Sequence, residues 1–287
     1  MSGAKGALRR SRQIYGVLKS LLTENILVME ENIVTTCDEA ATDVLVSISD
    51  FSKVYEGSGV KAVDGLNLQV KKGDIYGFIG RNGAGKSTTI KCLTGQLPFK
   101  DGTITVCGHD INADPISAKR HIGFVSDDHA VYEKMTGRQY VNFIADVFGT
   151  GEEREQRIAD LVKAFSIEYA FDKHIGSYSH GMKQKICLIA SLVHEPDVWV
   201  LDEPLTGLDV VMMFQVRKAM IEHAKKGHAV FFSSHNLDVV EKICNKAIII
   251  NHGKTLGVID IEEFKKSGKG SLEDYFFSLT GENDETV

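Results

Sequence analysis

From residue 44 onward, apolar and polar positions fall into short, ordered blocks. Val44, Val46 and Ile48 alternate with Leu45, Ser47 and Ser49, and Leu66, Leu68 and Val70 alternate with polar neighbours up to the Lys71-Lys72-Gly73-Asp74 turn. A period of two predicts half-buried strands, here a small antiparallel sheet leading into a fully apolar strand at Ile75–Ile79. Ser87 to Leu93 reads as a helix stopped at Gly95. Asp101-Gly102-Thr103 reads as a turn, Ile104 to Val106 as a strand, Pro115 to Arg120 as a short helix and Ile122 to Val125 as a second core strand.

Glu133 to Phe165 changes character. Two amphipathic helical stretches, about 138–147 and 152–165, carry Glu152, Glu153, Arg154, Glu155 and Arg157 as a solvated face, the pattern of a helical insertion. An apolar helix then runs to Val193. Strand signals at 198–201 and 229–232 flank a helix at about 211–225, and 247–250 with 256–259 reads as a closing hairpin around His252-Gly253. Strands alternating with helices predict a parallel sheet, so the fold class is α/β, with an antiparallel β subdomain and a helical subdomain at about 129–180. The domain spans 44–260. Residues 261–287 form a tail with one helix, 272–279, and a solvated acidic end at Glu282, Asp284 and Glu285.

Residues 1–43 differ. Lys5, Arg9, Arg10, Arg12 and Lys19 occur in the first 23 residues without an acid, and Ile14, Val17, Leu18, Leu21 and Leu22 fall at helical spacing. Three readings stand: a basic amphipathic helix on a membrane or partner, a transit peptide, or a poorly ordered extension.

Composition narrows the class. The 287 residues are 43% hydrophobic and 25% charged, ordinary for a globular fold. The net charge of −6 argues against a nucleic-acid partner. Apolar runs are strand-sized and fall short of the ~18 residues that span a bilayer, so another subunit would cross any membrane involved. The five cysteines are scattered without a C-x-x-C pair and read as reduced thiols.

Gly80 to Thr88 carries the first chemistry. Gly80, Gly85, Lys86 and Ser87 fit the phosphate-loop spacing G-x-x-x-x-G-K-[ST], between a predicted strand and a predicted helix. Glycines at 80, 83 and 85 allow the backbone N–H groups of Gly80, Arg81, Asn82, Gly83, Ala84, Gly85, Lys86, Ser87 and Thr88 to close on phosphate oxygens. Lys86 supplies charge for the β- and γ-phosphates, the Ser87 hydroxyl is placed for Mg²⁺, and the helix N-terminus favours the same anion. Tyr55 either stacks an adenine through its ring face or is a half-buried aromatic at a strand end.

The strand at 198–201 ends in Asp202 and Glu203, about 115 residues beyond the loop. Parallel strands share a carboxyl edge where ligands bind. Asp202 is therefore placed to reach Mg²⁺ through a water, and Glu203 to orient or deprotonate the attacking water. His235, again at a strand end, is either a hydrogen-bond donor to the γ-phosphate or structural.

The order of these motifs resembles the ATP-binding cassette (ABC) transporter ATPases over about residues 44–260. The phosphate loop, Tyr178-Ser179-His180-Gly181-Met182, Val198 to Glu203, Gly207-Leu208-Asp209 and His235 match that family's Walker A, signature, Walker B, D-loop and switch histidine. The resemblance implies a P-loop NTPase (RecA-like) core, with ATP as substrate and Mg²⁺ as cofactor. It also implies two cassettes that sandwich two ATP molecules. Ser179 and Gly181 would then meet the γ-phosphate across the dimer, Glu203 would be the base, His235 the γ-phosphate contact and Asp209 the link between sites. Two positions depart from the family: His180 replaces the usual first signature glycine, and Asp127 stands where a metal-touching glutamine is usual. The Tyr-Ser-x-Gly-Met-Lys-Gln-Lys run and the tail at 271–276 are similar to bacterial exporters of the ABC-2 type. That resemblance implies a separate polytopic permease, a second cassette as homodimer or heterodimer, and a peripheral location on the cytoplasmic face of the membrane. The other reading is a soluble cassette ATPase with an assembly role and no translocation.

Overall fold

The computed structural model describes residues 43–281 except 152 and 269. The expectations for residues 1–42 and for the acidic end at 282–287 lie outside the described residues. All described residues fall within one unit, 42–287.

A four-stranded sheet is built from β1 (Val44–Val54), β2 (Lys61–Lys71), β4 (Asp101–Val106) and β5 (His109–Asp110) in the order β2-β1-β4-β5, antiparallel throughout. Val63, Leu66, Leu68 and Val70 of β2 are buried while Asn67, Gln69 and Lys71 are exposed, as an antiparallel sheet with one wet face requires. Asp101 to Thr103, expected as a turn, belongs to β4. Asp101 pairs with Ser52 and Thr103 with Ser49 across a register shift. Gly102 (φ 86°) lies against this bulge, where Asp50 has φ 48°. A Cβ on Gly102 would stand 2.5 Å from Phe51 Cα. The glycine therefore marks a bulge and not a chain reversal.

The second sheet joins β3 (Ile75–Ile79), β6 (Ile122–Val125), β7 (Val198–Leu201), β8 (Ala229–Ser234), β9 (Lys246–Asn251) and β10 (Lys254–Asp260) in the order β10-β9-β3-β8-β7-β6. All pairs are parallel except the β9–β10 hairpin. Every residue of β3, β7 and β8 is buried, which explains why their sequences run apolar instead of alternating.

Helices fill the connections between the strands and follow the last of them. Among the described residues they are α1 (Lys86–Leu93), α2 (Pro115–Arg120), α3 (Gly137–Val147), α4 (Arg154–Ala164), α5 (His180–Leu192), α6 (Val210–Lys225), α7 (Leu237–Ile243), α8 (Ile261–Lys266) and α9 (Leu272–Thr280). Local caps set their starts. Asp114 caps α2 with Pro115 at its first position, and Thr136 with Gln139 forms a capping box on α3. The tail holds two helices, α8 and α9, where one was expected. Phe264, Leu272 and Phe276 from them join the main core cluster. Among the cysteines, Cys92, Cys187 and Cys244 are free and buried. Cys107 lies in the turn after β4.

Candidate functional site

The parallel strands bring three chain segments to one edge: the loop after β3, the Asp202-Glu203 pair after β7 and His235 after β8. The loop is held by close backbone approaches. A Cβ on Gly80 would lie 2.6 Å from Ile250 O, and one on Gly85 (φ 109°) would lie 2.5 Å from Ala62 O. Only glycine fits at either position. Arg81, Asn82 and Gly83 are exposed, Ala84 and Gly85 buried, and Ser87 and Thr88 half-buried. Lys86 opens α1 and is 5% exposed. Its Nζ donates to Gly80 O at 2.6 Å and to Arg81 O at 3.3 Å, and stands 3.3 Å from Glu203 Oε1. The buried ammonium is thus folded back onto its own loop, facing a carboxylate. The Tyr55 hydroxyl lies 3.0 Å from Thr88 Oγ1, which ties this exposed ring to the loop.

Asp202 is buried. Ser233 bridges it to its neighbour: the Ser233 hydroxyl donates to Asp202 Oδ1 at 2.6 Å and accepts from the Glu203 N–H at 2.8 Å. Glu203 itself has φ 49°. This left-handed backbone is uncommon for a residue with a side chain and costs on the order of 1 kcal/mol or more. Its Oε2 lies 2.9 Å from His235 Nδ1 and accepts from Thr206 Oγ1 at 3.4 Å. Its Oε1 is buried, makes no hydrogen bond and faces Lys86. A carboxylate oxygen left unsatisfied beside a buried ammonium is poised for a polar group between them. The oxygen donors here, the Ser87 hydroxyl and the Asp202 carboxylate, have the hardness that Mg²⁺ selects.

The remaining expected residues sit apart from this cluster. Ser179 caps α5 and accepts from the Met182 N–H at 3.3 Å, while Asp209 caps α6 and accepts from the Met212 N–H at 2.8 Å. Among the described residues, no hydrogen bond joins Ser179, Gly181 or Asp209 to the phosphate loop. Ser179 and Asp209 are exposed, and a Cβ on Gly181 would meet nothing within 4 Å. Asp127 is exposed just after β6, and no ion pair joins it to the loop among the described residues.

Ser233, Thr206 and Gln184 escaped the sequence reading. Gln184 is buried and donates to Pro204 O at 2.9 Å, linking α5 to the turn after Glu203. The signal for Ser233 was two hydroxyls closing an otherwise apolar strand. A cavity of about 330 Å³ opens between the β6–α3 connection, α3 and α5, lined by Phe124, Ser126, Ala130, Tyr140, Ile144 and His194 among others. Beside it His129 is buried, and burial, then the His180 imidazole, hold its pKa below the usual histidine value against Asp128 and Asp127.

Known proteins share this arrangement. A family model described as ABC transporter matches residues 63–206. The bacitracin transport ATP-binding protein BcrA of Bacillus licheniformis is 33% identical over 244 residues, covering 85% of this chain and 78% of the relative. The ABC transporter ATP-binding protein NatA of Bacillus subtilis is 30% identical over 237 residues, covering 81% and 96%. A solved structure titled as the ATP binding subunit of an ABC transporter superposes with a TM-score of 0.78 at 27% identity, covering 82% of this chain and 99% of that one. Taken with the phosphate loop and the acidic pair on one sheet edge, these matches identify the chain as a member of the ABC transporter family and an ATP-hydrolysing cassette of it.

Proposed function

We propose that this chain is the ATPase subunit of an exporter, in which ATP draws two cassettes together on a separate polytopic permease and hydrolysis releases them. The observation that carries the reading is Glu203. Its carboxylate stands beside the buried Lys86 on one side and His235 on the other, with one oxygen left without a hydrogen bond. In this reading the loop from Gly80 to Thr88 and Tyr55 bind ATP. Glu203 takes the proton of the attacking water, and the His235 side chain, oriented by Glu203, contacts the γ-phosphate. Mg²⁺, when bound by Ser87 and Asp202, with Asp127 as a further oxygen ligand, would neutralise charge on the phosphates. Ser179 and Asp209 are exposed and Gly181 is half-buried at their helix starts, and the three face the ATP and loop of the second cassette. Such closure is a two-state element of the kind a transport cycle needs.

Export is supported by the relatives' names, which include bacitracin transport and daunorubicin/doxorubicin resistance proteins. The permease would dock at the cavity beside Asp127, keeping the subunit peripheral on the cytoplasmic face. No helix among the described residues is long and apolar enough to cross a membrane itself.

Two measurements test this. Glu203→Gln is expected to lower turnover by about 10²-fold or more while still binding MgATP and dimerising with it. Hydrolysis at the parental rate would remove Glu203 as the base. The same variant, tagged and loaded with MgATP, is expected to recover a polytopic membrane protein from solubilised membranes of the source cell. Recovery of soluble proteins alone would overturn the exporter reading and favour an assembly role.

A further inference from the structure

The connection from β6 to α3 is joined to the start of α5 at several points. Met135 O accepts from the Ile175 N–H at 2.9 Å and Glu133 O from the Gly176 N–H at 3.0 Å, just ahead of Ser179. Lys183 Nζ meets Glu133 Oε1 at 2.5 Å. These ties hold the far end of the connection. Its near end, next to Asp127, reaches α5 through two imidazoles: the rings of His129 and His180 meet edge to face, with centroids 5.3 Å apart and planes at 89°.

His129 carries costs that its own stability does not explain. Its φ of 46° lies in the left-handed region, and both ring nitrogens are buried without a hydrogen-bond partner. Strained and unsatisfied groups persist where the surrounding structure uses them. His180, in contrast, is exposed at the first position of α5, between the cap Ser179 and Gly181. Edge-to-face ring contacts have a definite geometry and so can fix an otherwise free side chain.

We propose that His129 and His180 are a positioning pair: their ring contact locks the near end of the β6–α3 connection to the first turn of α5, and so sets how Ser179 and Gly181 are presented to the ATP of the second cassette. This rests on the reading of Ser179 and Gly181 given above. It assigns the side chain at 180 a purpose, and it gives the segment that borders the cavity a direct mechanical link to the start of α5.

Steady-state hydrolysis with purified full-length protein tests it. His129→Ala and His180→Ala are each expected to lower kcat about fivefold or more with the KM for MgATP within about twofold, because the chain's own phosphate loop is untouched. The double variant should be no worse than the weaker single, since both remove one contact. His129→Phe, which keeps an aromatic ring, should restore most of the turnover lost in His129→Ala. Parental kcat in the single variants, multiplying losses in the double, or a loss confined to KM would each overturn the pair. Should His129→Ala fail to fold, His180→Ala at an exposed site and His129→Phe decide the matter, the first expected to lose turnover and the second to keep it. Ser179→Ala separates the two levels. If it leaves turnover and MgATP-dependent dimerisation unchanged, the reading of the α5 start as facing ATP fails and takes the pair with it. If it abolishes both while the histidine variants turn over normally, only the pair fails.

Discussion

Ser233 shows how much one hydroxyl can organise. It donates to the buried Asp202 carboxylate and accepts from the Glu203 backbone, so both acidic residues are oriented through it. Removing a partner from a buried ionised group costs about 1.5–3 kcal/mol. Ser233→Ala is therefore expected to lower stability in urea by about 2 kcal/mol and to cut turnover about tenfold; parental values for both would make the bridge incidental. Tyr55 allows a finer separation. Its hydroxyl is held by Thr88 while its ring remains open on the exposed side. If the ring stacks the adenine, Tyr55→Phe should bind ATP nearly as the parent does and Tyr55→Ala should bind about fivefold more weakly, from a contact of about 1 kcal/mol. Equal affinity for the parent, Phe and Ala proteins would make Tyr55 a strand-end aromatic only. Lys86, Glu203 and His235 were legible in the sequence because their spacing and strand-end positions carry chemistry. Ser233 was not, because a serine closing an apolar strand reads the same whether it bridges carboxylates or simply meets solvent.

Elements were legible where a periodic run or a local start signal marked them; α2, only six residues long, was read with its observed bounds, Pro115 standing at its first position. β3 was read with its observed bounds, since five consecutive apolar residues between turn signals admit little else. The helices α7 and α8, with seven and six residues, were not read at all. They are under two turns long, too short to display a period, and are started by the side-chain caps Asn236 and Asp260. The misreading of Asp101 to Thr103 has a different cause. Asp-Gly is a turn signal in isolation, and only pairing with β1 across a bulge turns it into strand. That explanation is testable at the same element. A side chain on Gly102 must overcome both φ 86° and a 2.5 Å approach to Phe51 Cα. Gly102→Ala is expected to cost about 1–3 kcal/mol in urea unfolding, whereas Gly108→Ala, with open space around its Cβ, should pay for backbone strain alone and cost less. Equal losses would put the effect down to φ and not to the bulge.

At the scale of the whole molecule, the parallel sheet separates two chemistries onto opposite edges. The carboxyl edge holds the phosphate loop, Asp202 and Glu203. The other edge begins with His121, Asp197 and His228, the residues directly ahead of β6, β7 and β8. Asp197 lies 2.6 Å from His121 Nδ1 and 3.9 Å from His228 Nδ1. His223 stacks on His228 with centroids 4.7 Å apart, and His194 Nε2 donates to Ile122 O at 3.1 Å. Burial lowers His223 to a pKa of about 3, helped by His228 and Lys226, and burial lowers His194 to about 4. Both values lie below the ~6.5 of an unfolded histidine, so the unfolded chain binds these protons and the folded chain does not. The stability they support is complete above pH ~6.5 and is lost as pH falls toward the folded values. At pH 5 each of the two has given up ~2 kcal/mol, from about 1.5 units at ~1.4 kcal/mol per unit. The protein is therefore expected to lose stability steeply between pH 6.5 and 5, before most carboxylates titrate. His223→Leu, which removes one such group, should lower the difference in unfolding free energy between pH 7.5 and pH 5 by ~2 kcal/mol, whatever it does to stability at pH 7.5. If the variant and the parent lose the same amount over that interval, His223 is not kept neutral by the fold, and the acid sensitivity must be sought at the carboxyl edge instead.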